Sequence, residues 1–340
     1  MTIPNAARLR PAAPRRLVFA GEAIVDVVLR VPALPARGGD LLATSSQVTA
    51  GGGCNVMAAA ARHGLPVLYA GGHGTGPWGD LIRAALTAEG IGLLRPPDRG
   101  RDTGFDVAFV EPDAERTFVT HLGAETVRGP DSWRDVPAGP RDAVYVSGYG
   151  LVAPESGPVL AAWAAALPPG VLLFVDPGPL GAQVPAAVLD PVLDRCDWLS
   201  CNQQEAAELA GVSPAHSPAD DPAAAGPDAP AAADAADTAW RLLVRAGRAG
   251  VLVRTGPAGC YLALPAAAGP VHVPAPVVTA VDTTGAGDAH AGVFLAALAD
   301  GLSPLAAAAR ANAAAAFAVT RPGPATAPTR AELDAWWPGS

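Results

Sequence analysis

The run Val281-Asp282-Thr283-Thr284-Gly285-Ala286-Gly287-Asp288-Ala289-His290-Ala291-Gly292 joins a glycine-rich turn, a carboxylate and the beginning of an apolar helix. Small residues at 285 to 287 let a ligand approach the backbone. A helix over Val293 to Ala299 would aim unpaired N–H groups and its positive dipole end at the same point, which suits an anion. Asp288 would be repelled by bound phosphates there unless it had a chemical task, and the fitting task is to take the proton from an attacking hydroxyl. The chemistry predicted is transfer of a phosphoryl group to a hydroxyl. Asp288 is the general base, and the backbone N–H groups of Gly285, Ala286 and Gly287 form the anion hole. Taken alone, the string also fits a glycine turn in which Asp288 merely caps a helix.

Composition narrows the mechanism. All 23 basic residues are arginine. P-loop enzymes, protein kinases and Schiff-base enzymes place a lysine at the reacting centre, so those mechanisms are excluded. A formal charge of −9 disfavours nucleic acid as a partner, because binding it requires a basic surface that releases counterions. Cys54, Cys196, Cys201 and Cys260 lack metal-ligand spacing and read as reduced thiols, which points to a cytoplasmic protein. No uncharged apolar run reaches the roughly 18 residues that span a membrane, and the arginine-bearing stretch 1–16 reads as a disordered N-terminal extension rather than a signal peptide. A second glycine string, Gly74-Thr75-Gly76-Pro77-Trp78-Gly79, imitates a dinucleotide fingerprint. Pro77 donates no N–H and Trp78 fills the space a pyrophosphate needs, so a structural turn is expected.

The elements that must position these residues are legible as alternation. β-rich apolar runs at Leu17–Ala20, Val67–Gly71, Ala143–Ser147, Val171–Asp176, Trp198–Cys201 and Val251–Arg254 are separated by helical patterns. Those patterns are Val56–His63, Leu81–Glu89, Val159–Leu167, Gln204–Ala210 and Ala231–Ala246. This order predicts an α/β fold with a mostly parallel central sheet covered by helices on both faces. Residues 24–48 and 105–121 alternate like half-exposed strands. Residues 213–233, almost only Ala, Pro, Asp, Gly and Ser, read as a low-complexity inserted loop, and 334–340 as a C-terminal tail.

Four motifs in one order carry a resemblance to the ribokinase, or pfkB, family of carbohydrate kinases over 17–333. They are Gly51-Gly52-Gly53-Cys54-Asn55 before a small-residue helix, Asn202-Gln203-Gln204-Glu205, Arg254-Thr255-Gly256-Pro257-Ala258-Gly259, and the Asp282–Gly292 string. Within the family the chain is similar to a branch of sugar kinases of unassigned substrate that share Gly-Asp-Ala/Ser-His-Ala-Gly. The resemblance implies a ribokinase-like three-layer α/β/α sandwich whose small β-sheet, built from the strands in 24–48 and 105–121, is a lid over the sugar.

The resemblance also implies roles. Asp26, Gly52, Gly53 and Asn55 would bind the acceptor, carboxylates and amides being suited to vicinal hydroxyls. His121 would touch the same ligand or face solvent. Asp176, Arg254, Gly256, Gly259 and Asn312 would lie near ATP, although Arg254 also fits a strand-end surface residue. Asn202 and Glu205 would hold Mg²⁺ through water, an ion that needs few carboxylates, while the same pair fits a helix capping box. Asp282 with Val319–Gly323 matches a site for a monovalent cation such as K⁺. Two departures bear on the acceptor. Ile24 stands where ribokinase has a second polar residue, and Thr120-His121-Leu122 lacks the arginine of members that act on acidic sugars. A neutral sugar is therefore the expected acceptor, a nucleoside the alternative, with a homodimer through the lid the assembly implied and neither nucleic acid nor membrane as partner. Readings of another class are a noncatalytic sugar- or nucleotide-binding regulatory protein and a dinucleotide-dependent dehydrogenase.

Overall fold

The structure is a computed structural model that describes residues 13–112, 116–126, 129, 131–212 and 230–338. The first part of the chain forms β1 (Arg16–Ala20), β2 (Ala23–Arg30), β3 (Ser45–Gly52), α1 (Gly53–Arg62), β4 (Val67–Tyr69), α2 (Pro77–Ala88), β5 (Gly92–Leu93), β6 (Phe105–Val110) and β7 (Arg116–His121). The middle forms β8 (Asp142–Ser147), α3 (Gly148–Val152), α4 (Gly157–Ala165), β9 (Leu172–Asp176), α5 (Ala186–Arg195), β10 (Trp198–Asn202) and α6 (Gln203–Ala210). The last part forms α7 (Pro230–Arg245), β11 (Gly250–Arg254), β12 (Cys260–Ala263), β13 (Val271–Val273), α8 (Ala286–Ala299), α9 (Pro304–Ala318) and α10 (Arg330–Trp336).

Nine strands make one sheet in the order β13-β12-β11-β10-β9-β8-β1-β4-β5. From β11 to β5 every pairing is parallel, and β12 and β13 add an antiparallel edge. Parallel strands are covered on both faces, so their residues divide by the pleat between two cores. Val18, Val144, Leu173 and Val175 face one cluster, and Leu17, Phe19, Tyr145 and Phe174 face the other. On the second face the rings of Phe19, Tyr145 and Phe174 stack at 4.9 and 5.4 Å and meet Phe294 of α8. A four-stranded sheet, β3-β2-β6-β7, stands beside the large one. The chain thus has the mostly parallel central sheet that its alternation predicts and the small second sheet that its motifs imply.

Several boundaries differ from the sequence reading. Helix α8 starts at Ala286 rather than near Val293, so Gly287 and Asp288 lie in its first turn. Strand β1 takes in Arg16, whose guanidinium is held by Asp142 of the neighbouring β8; residues 1–12 of the expected extension lie outside the described residues. Of the expected 213–233 insertion, 213–229 lie outside them too, and the chain is helical from Pro230. The tail is also structured as far as Trp336. A capping box between Thr329 and Glu332 starts α10, and the helix is fastened by buried Leu333, by Arg310 bonded to Asp334, and by Trp336 edge-on to Phe317. The Gly74–Gly79 string is a turn: Asp102 accepts from the Trp78 and Gly79 N–H groups at 3.1 and 2.8 Å, at the position where an anion would have to sit. No helix among the described residues is long and apolar enough to cross a membrane.

Candidate active site

The geometry begins with two helices that pack unusually close. A methyl group on Gly292 would lie 2.5 Å from the Val56 carbonyl oxygen, so only glycine lets α8 rest directly on the backbone of α1. That contact sets the first turns of the two helices side by side. The Asn55 side-chain amide then donates to Asp288 Oδ2 at 3.1 Å across 233 residues of sequence. At the N-cap of α8, Gly285 has φ 73°, a left-handed conformation, and any side chain there would strike the Pro324 carbonyl. The turn therefore presents the helix N-terminus bare, with the Ala286 N–H only loosely engaged by the Thr283 carbonyl at 3.3 Å.

Asp288 forms the floor of a cavity of about 270 Å³ between the carboxyl ends of the parallel strands and the small sheet. Clefts at the carboxyl ends of such strands are the usual ligand sites of open α/β sheets. One end of the cavity is lined by Ile24, Asp26, Gly52, Gly53, Asn55, Asp106, Phe118, Thr120 and Leu122; the other by Asp176, Gly178, Glu205, Arg254, Gly285 and Gly287.

At the second end Arg254 donates to Asp176 Oδ2 at 2.8 Å and Ser200 Oγ at 2.6 Å and pairs with Glu205 Oε2 at 3.5 Å. Burial opposes the charge of this guanidinium, but Asp176 and Glu205 outweigh it and raise the pKa above the ordinary value. The Glu205 carboxyl is pushed up to about 7 by burial and by Asp176, with Arg254 pulling the other way. Asn202 and Glu205 form a complete capping box: Asn202 Oδ1 accepts from the Glu205 N–H at 2.8 Å, and Glu205 Oε2 from the Asn202 N–H at 2.7 Å. The cap leaves Glu205 in the cavity wall, whereas Asn202 is exposed and outside it.

Asp288 has its carboxyl raised to about 6 by burial, with the Asn55 hydrogen bond lowering it, Asp176 raising it and Arg254 lowering it. An acid poised there is ionised at neutral pH yet basic enough to accept a proton. His290, two residues further along α8, is buried and lies parallel to the Phe294 ring at 6.4 Å. Burial and Arg254 hold its pKa down to about 3, so it stays neutral.

Other expected residues are placed elsewhere. The pleat of β7 turns Phe118 and Thr120 to the cavity and leaves His121 on the opposite side, exposed and against Phe105 at 5.6 Å, so His121 is not brought to the acceptor end. Asn312 is buried beneath β13 and donates to the Val273 carbonyl at 2.8 Å, outside the cavity. Gly256 and Gly259 bracket a single 3₁₀ turn after β11, also outside it. The Asp282 carboxylate is already filled. It accepts from the Thr284 N–H and hydroxyl at 2.9 and 2.6 Å, the Gly323 N–H at 3.1 Å and Arg116 at 2.6 Å, with Arg30 at 3.9 Å. These arginines come from the small sheet, so Asp282 ties that sheet to the loop preceding Gly285. Among the described residues no cluster of three or more His, Cys, Asp or Glu forms a metal cage.

Sequence reasoning missed Ser200, Arg116 and above all Asp106. The last had a signal: a lone aspartate inside the alternating run Phe105–Val110, where strands disfavour it.

Residues 14–331 match the pfkB family carbohydrate kinase. The chain is 33% identical over 325 residues to the uncharacterized sugar kinase YegV of Escherichia coli (strain K12), covering 93% of this chain and 92% of that one. Among solved structures, ribokinase from Cryptococcus neoformans in complex with ADP superposes with a TM-score of 0.74 at 22% identity, covering 95% of this chain and 99% of that one. The adenosine kinase of Sinorhizobium meliloti superposes with a TM-score of 0.74 at 23% identity, covering 97% and 100%.

Proposed function

The chain belongs to the pfkB family of carbohydrate kinases, and on that premise we propose that it transfers the γ-phosphoryl group of ATP to a primary hydroxyl of a neutral sugar. The observation that carries this reading is the juxtaposition of Asp288, hydrogen-bonded to Asn55, with the bare N-terminus of α8 on the floor of a single cavity. The acceptor hydroxyl lies against Asp288 and passes its proton to the carboxylate as its oxygen bonds to the γ-phosphorus. The bond from that phosphorus to the bridging oxygen breaks, and its electron pair leaves with ADP. Gly285, Ala286 and Gly287 offer backbone N–H groups to the charge that builds on the phosphoryl oxygens, at no cost of reorganisation. Asn55 keeps the Asp288 carboxylate oriented and ionised.

Asp176 and Arg254 would form the nucleotide side of the cavity, and Gly256 and Gly259, in the turn outside it, would meet only a part of ATP that extends beyond the cavity. Arg254 offers the positive charge, and burial with Asp176 and Glu205 keeps it correctly directed. Glu205, with Asn202 at its helix cap, would hold Mg²⁺ through water: its carboxyl is pushed up to about 7 by burial first and then by Asp176, with Arg254 only partly offsetting them, and a cation would favour its ionised form. When bound, that ion neutralises charge on the ATP phosphates. K⁺ at Asp282 is a weaker expectation, because Arg116 already supplies positive charge to its carboxylate.

The acceptor end is acidic and, among the described residues, is lined by no arginine, which disfavours sugar acids and sugar phosphates. Ile24, Phe118 and Leu122 give it an apolar wall as well, and that wall favours as a second reading a nucleoside acceptor, whose base would lie against it. A screen of sugars and nucleosides with ATP, read by ADP release, tests both. Acceptor-dependent release with a neutral sugar or nucleoside is expected; none with any acceptor would remove the kinase reading.

A further inference from the structure

Asp106 is placed where strand chemistry disfavours it and where its charge is least welcome. It is the register partner of Asp26 on the neighbouring parallel strand, so both side chains leave the same face of the small sheet, and both line the acceptor end of the cavity. Each is more than nine-tenths buried, at 7% exposure for Asp26 and 8% for Asp106. Asp106 Oδ1 has no hydrogen-bond partner, and neither has Asn55 Oδ1 in the same wall. Asp26, Asp106 and Asp288 are three of the six carboxylates that line the cavity, with Glu22, Asp176 and Glu205, and among the described residues Arg254 is the one arginine in its wall. The arginine at its far end is committed to Asp176, Ser200 and Glu205, while Arg116 is held by Asp282. Unpartnered buried oxygens cost stability unless a ligand supplies donors.

Resting on the kinase reading above, we infer that Asp106 and Asp26 together form a two-carboxylate seat for a pair of neighbouring hydroxyls on the acceptor. The acceptor is then a polyol with a vicinal diol remote from the hydroxyl that is phosphorylated, and Asp106 is a specificity-determining residue. Two aligned carboxyl groups match two adjacent hydroxyls in spacing, as neighbouring aligned residues in a sheet stand roughly 5 Å apart. Burial, followed by the charges of Asp106 and Asp288, pushes Asp26 up to about 8, and burial pushes Asp106 up to about 6. At neutral pH the pair therefore carries one acid and one carboxylate, a donor with several acceptors, which complements hydroxyl groups and repels an anion. Asn55 Oδ1 beside them takes a further donor from the same ligand.

The test compares wild type, Asp106→Ala and Asp106→Asn with D-ribose, D-fructose, D-glucose, D-glucosamine and adenosine as acceptors, followed by the single-deoxy analogues of the best one. Asp106→Ala is expected to lower kcat/KM for the acceptor by about 10- to 100-fold, mostly through KM, with the KM for ATP changed less than about twofold. One deoxy analogue should be penalised about 10- to 100-fold by wild type and less than about threefold by Asp106→Ala, because the missing hydroxyl and the missing carboxylate are the same interaction. Both variants should melt at or above the wild-type temperature, since the substitution removes an unpaired buried charge. A deoxy penalty equal in wild type and variant, an unchanged acceptor KM, or a marked fall in melting temperature would each overturn the seat and leave Asp106 a structural residue. Preference for D-glucosamine would replace the diol by an ammonium group. Failure of every acceptor in the panel to elicit ADP release from wild type would strike instead at the kinase reading.

Discussion

Removing the Asn55 amide should move the acidic limb of the pH–rate profile. Asp288 works as a base only when ionised, so turnover is present above its pKa and lost as pH falls through it. With the Asp288 carboxyl raised to about 6 by burial, that limb is expected near 6 in the wild-type protein. The Asn55 Nδ2 to Asp288 Oδ2 hydrogen bond, 3.1 Å long, stabilises the ionised form and holds the pKa below what burial and Asp176 would set. A hydrogen bond to a charged group is worth about 1.5–3 kcal/mol, and about 1.4 kcal/mol corresponds to one pH unit. The bond is long for its kind, so the lower end applies, and Asn55→Ala should bring the limb from near 6 to about 7. At pH 6 the wild-type enzyme then keeps roughly half its full turnover and the variant roughly a tenth. The assay is kcat by ADP release from pH 5 to 9 with ATP and acceptor both saturating, so that the place of Asn55 in the acceptor wall does not enter. A limb that stays put or moves to lower pH would show that the contact does not govern the reacting carboxylate.

Other perturbations follow from the same geometry. Glu205→Gln should raise the Mg²⁺ needed for half-maximal activity more than it changes the acceptor KM; a titration identical to wild type would assign Glu205 to its capping box alone. Arg254→Met strands the buried Asp176 and Glu205 carboxylates and should cost about 3–5 kcal/mol at pH 8 while raising the KM for ATP. Because protonation relieves stranded carboxylates, that loss should shrink at pH 5; an equal loss in melting temperature at both pH values contradicts the pairing. Gly292→Ala sets a methyl group against the Val56 carbonyl and should lower both melting temperature and kcat, and an unaffected kcat would mean that the α1–α8 contact does not set the Asn55–Asp288 geometry.

The frame was legible because parallel strands buried on both faces leave uninterrupted Val/Leu runs, as in Val171–Asp176 and Val251–Arg254, and alanine-rich segments between them have no other use. The antiparallel edge was not read: β12 and β13 are short, and β13 carries exposed Val271 and His272. Helix α5 was hidden by Pro191 within it, although its inner face buries Val188, Leu189, Val192 and Leu193. The start of α8 is hidden in the sequence because Gly285 and Gly287 look like a loop, whereas one left-handed glycine suffices to begin the helix and brings Asp288 into its first turn. Within the site, residues in glycine-bracketed strings could be named in advance. Asp106 offered only the signal of a lone aspartate in a strand run; its place in the site depends on which strand lies beside β6, and sheet pairing between distant segments leaves no local trace. His121 failed for the opposite reason: a one-residue step along a strand reverses the face, and proximity in sequence to Thr120 and Leu122 says nothing about which side meets the ligand.

The most direct measurement is steady-state turnover of Asp288→Asn beside its ATP affinity. The substitution keeps the shape of the side chain at the N-terminus of α8 and removes only its capacity to take a proton. ATP binding by calorimetry should stay within about threefold of wild type, while kcat with the best acceptor falls by about 10²- to 10⁴-fold. Turnover at the wild-type level, with ATP bound as before, would take Asp288 out of the reaction and with it the account of the cavity built around it.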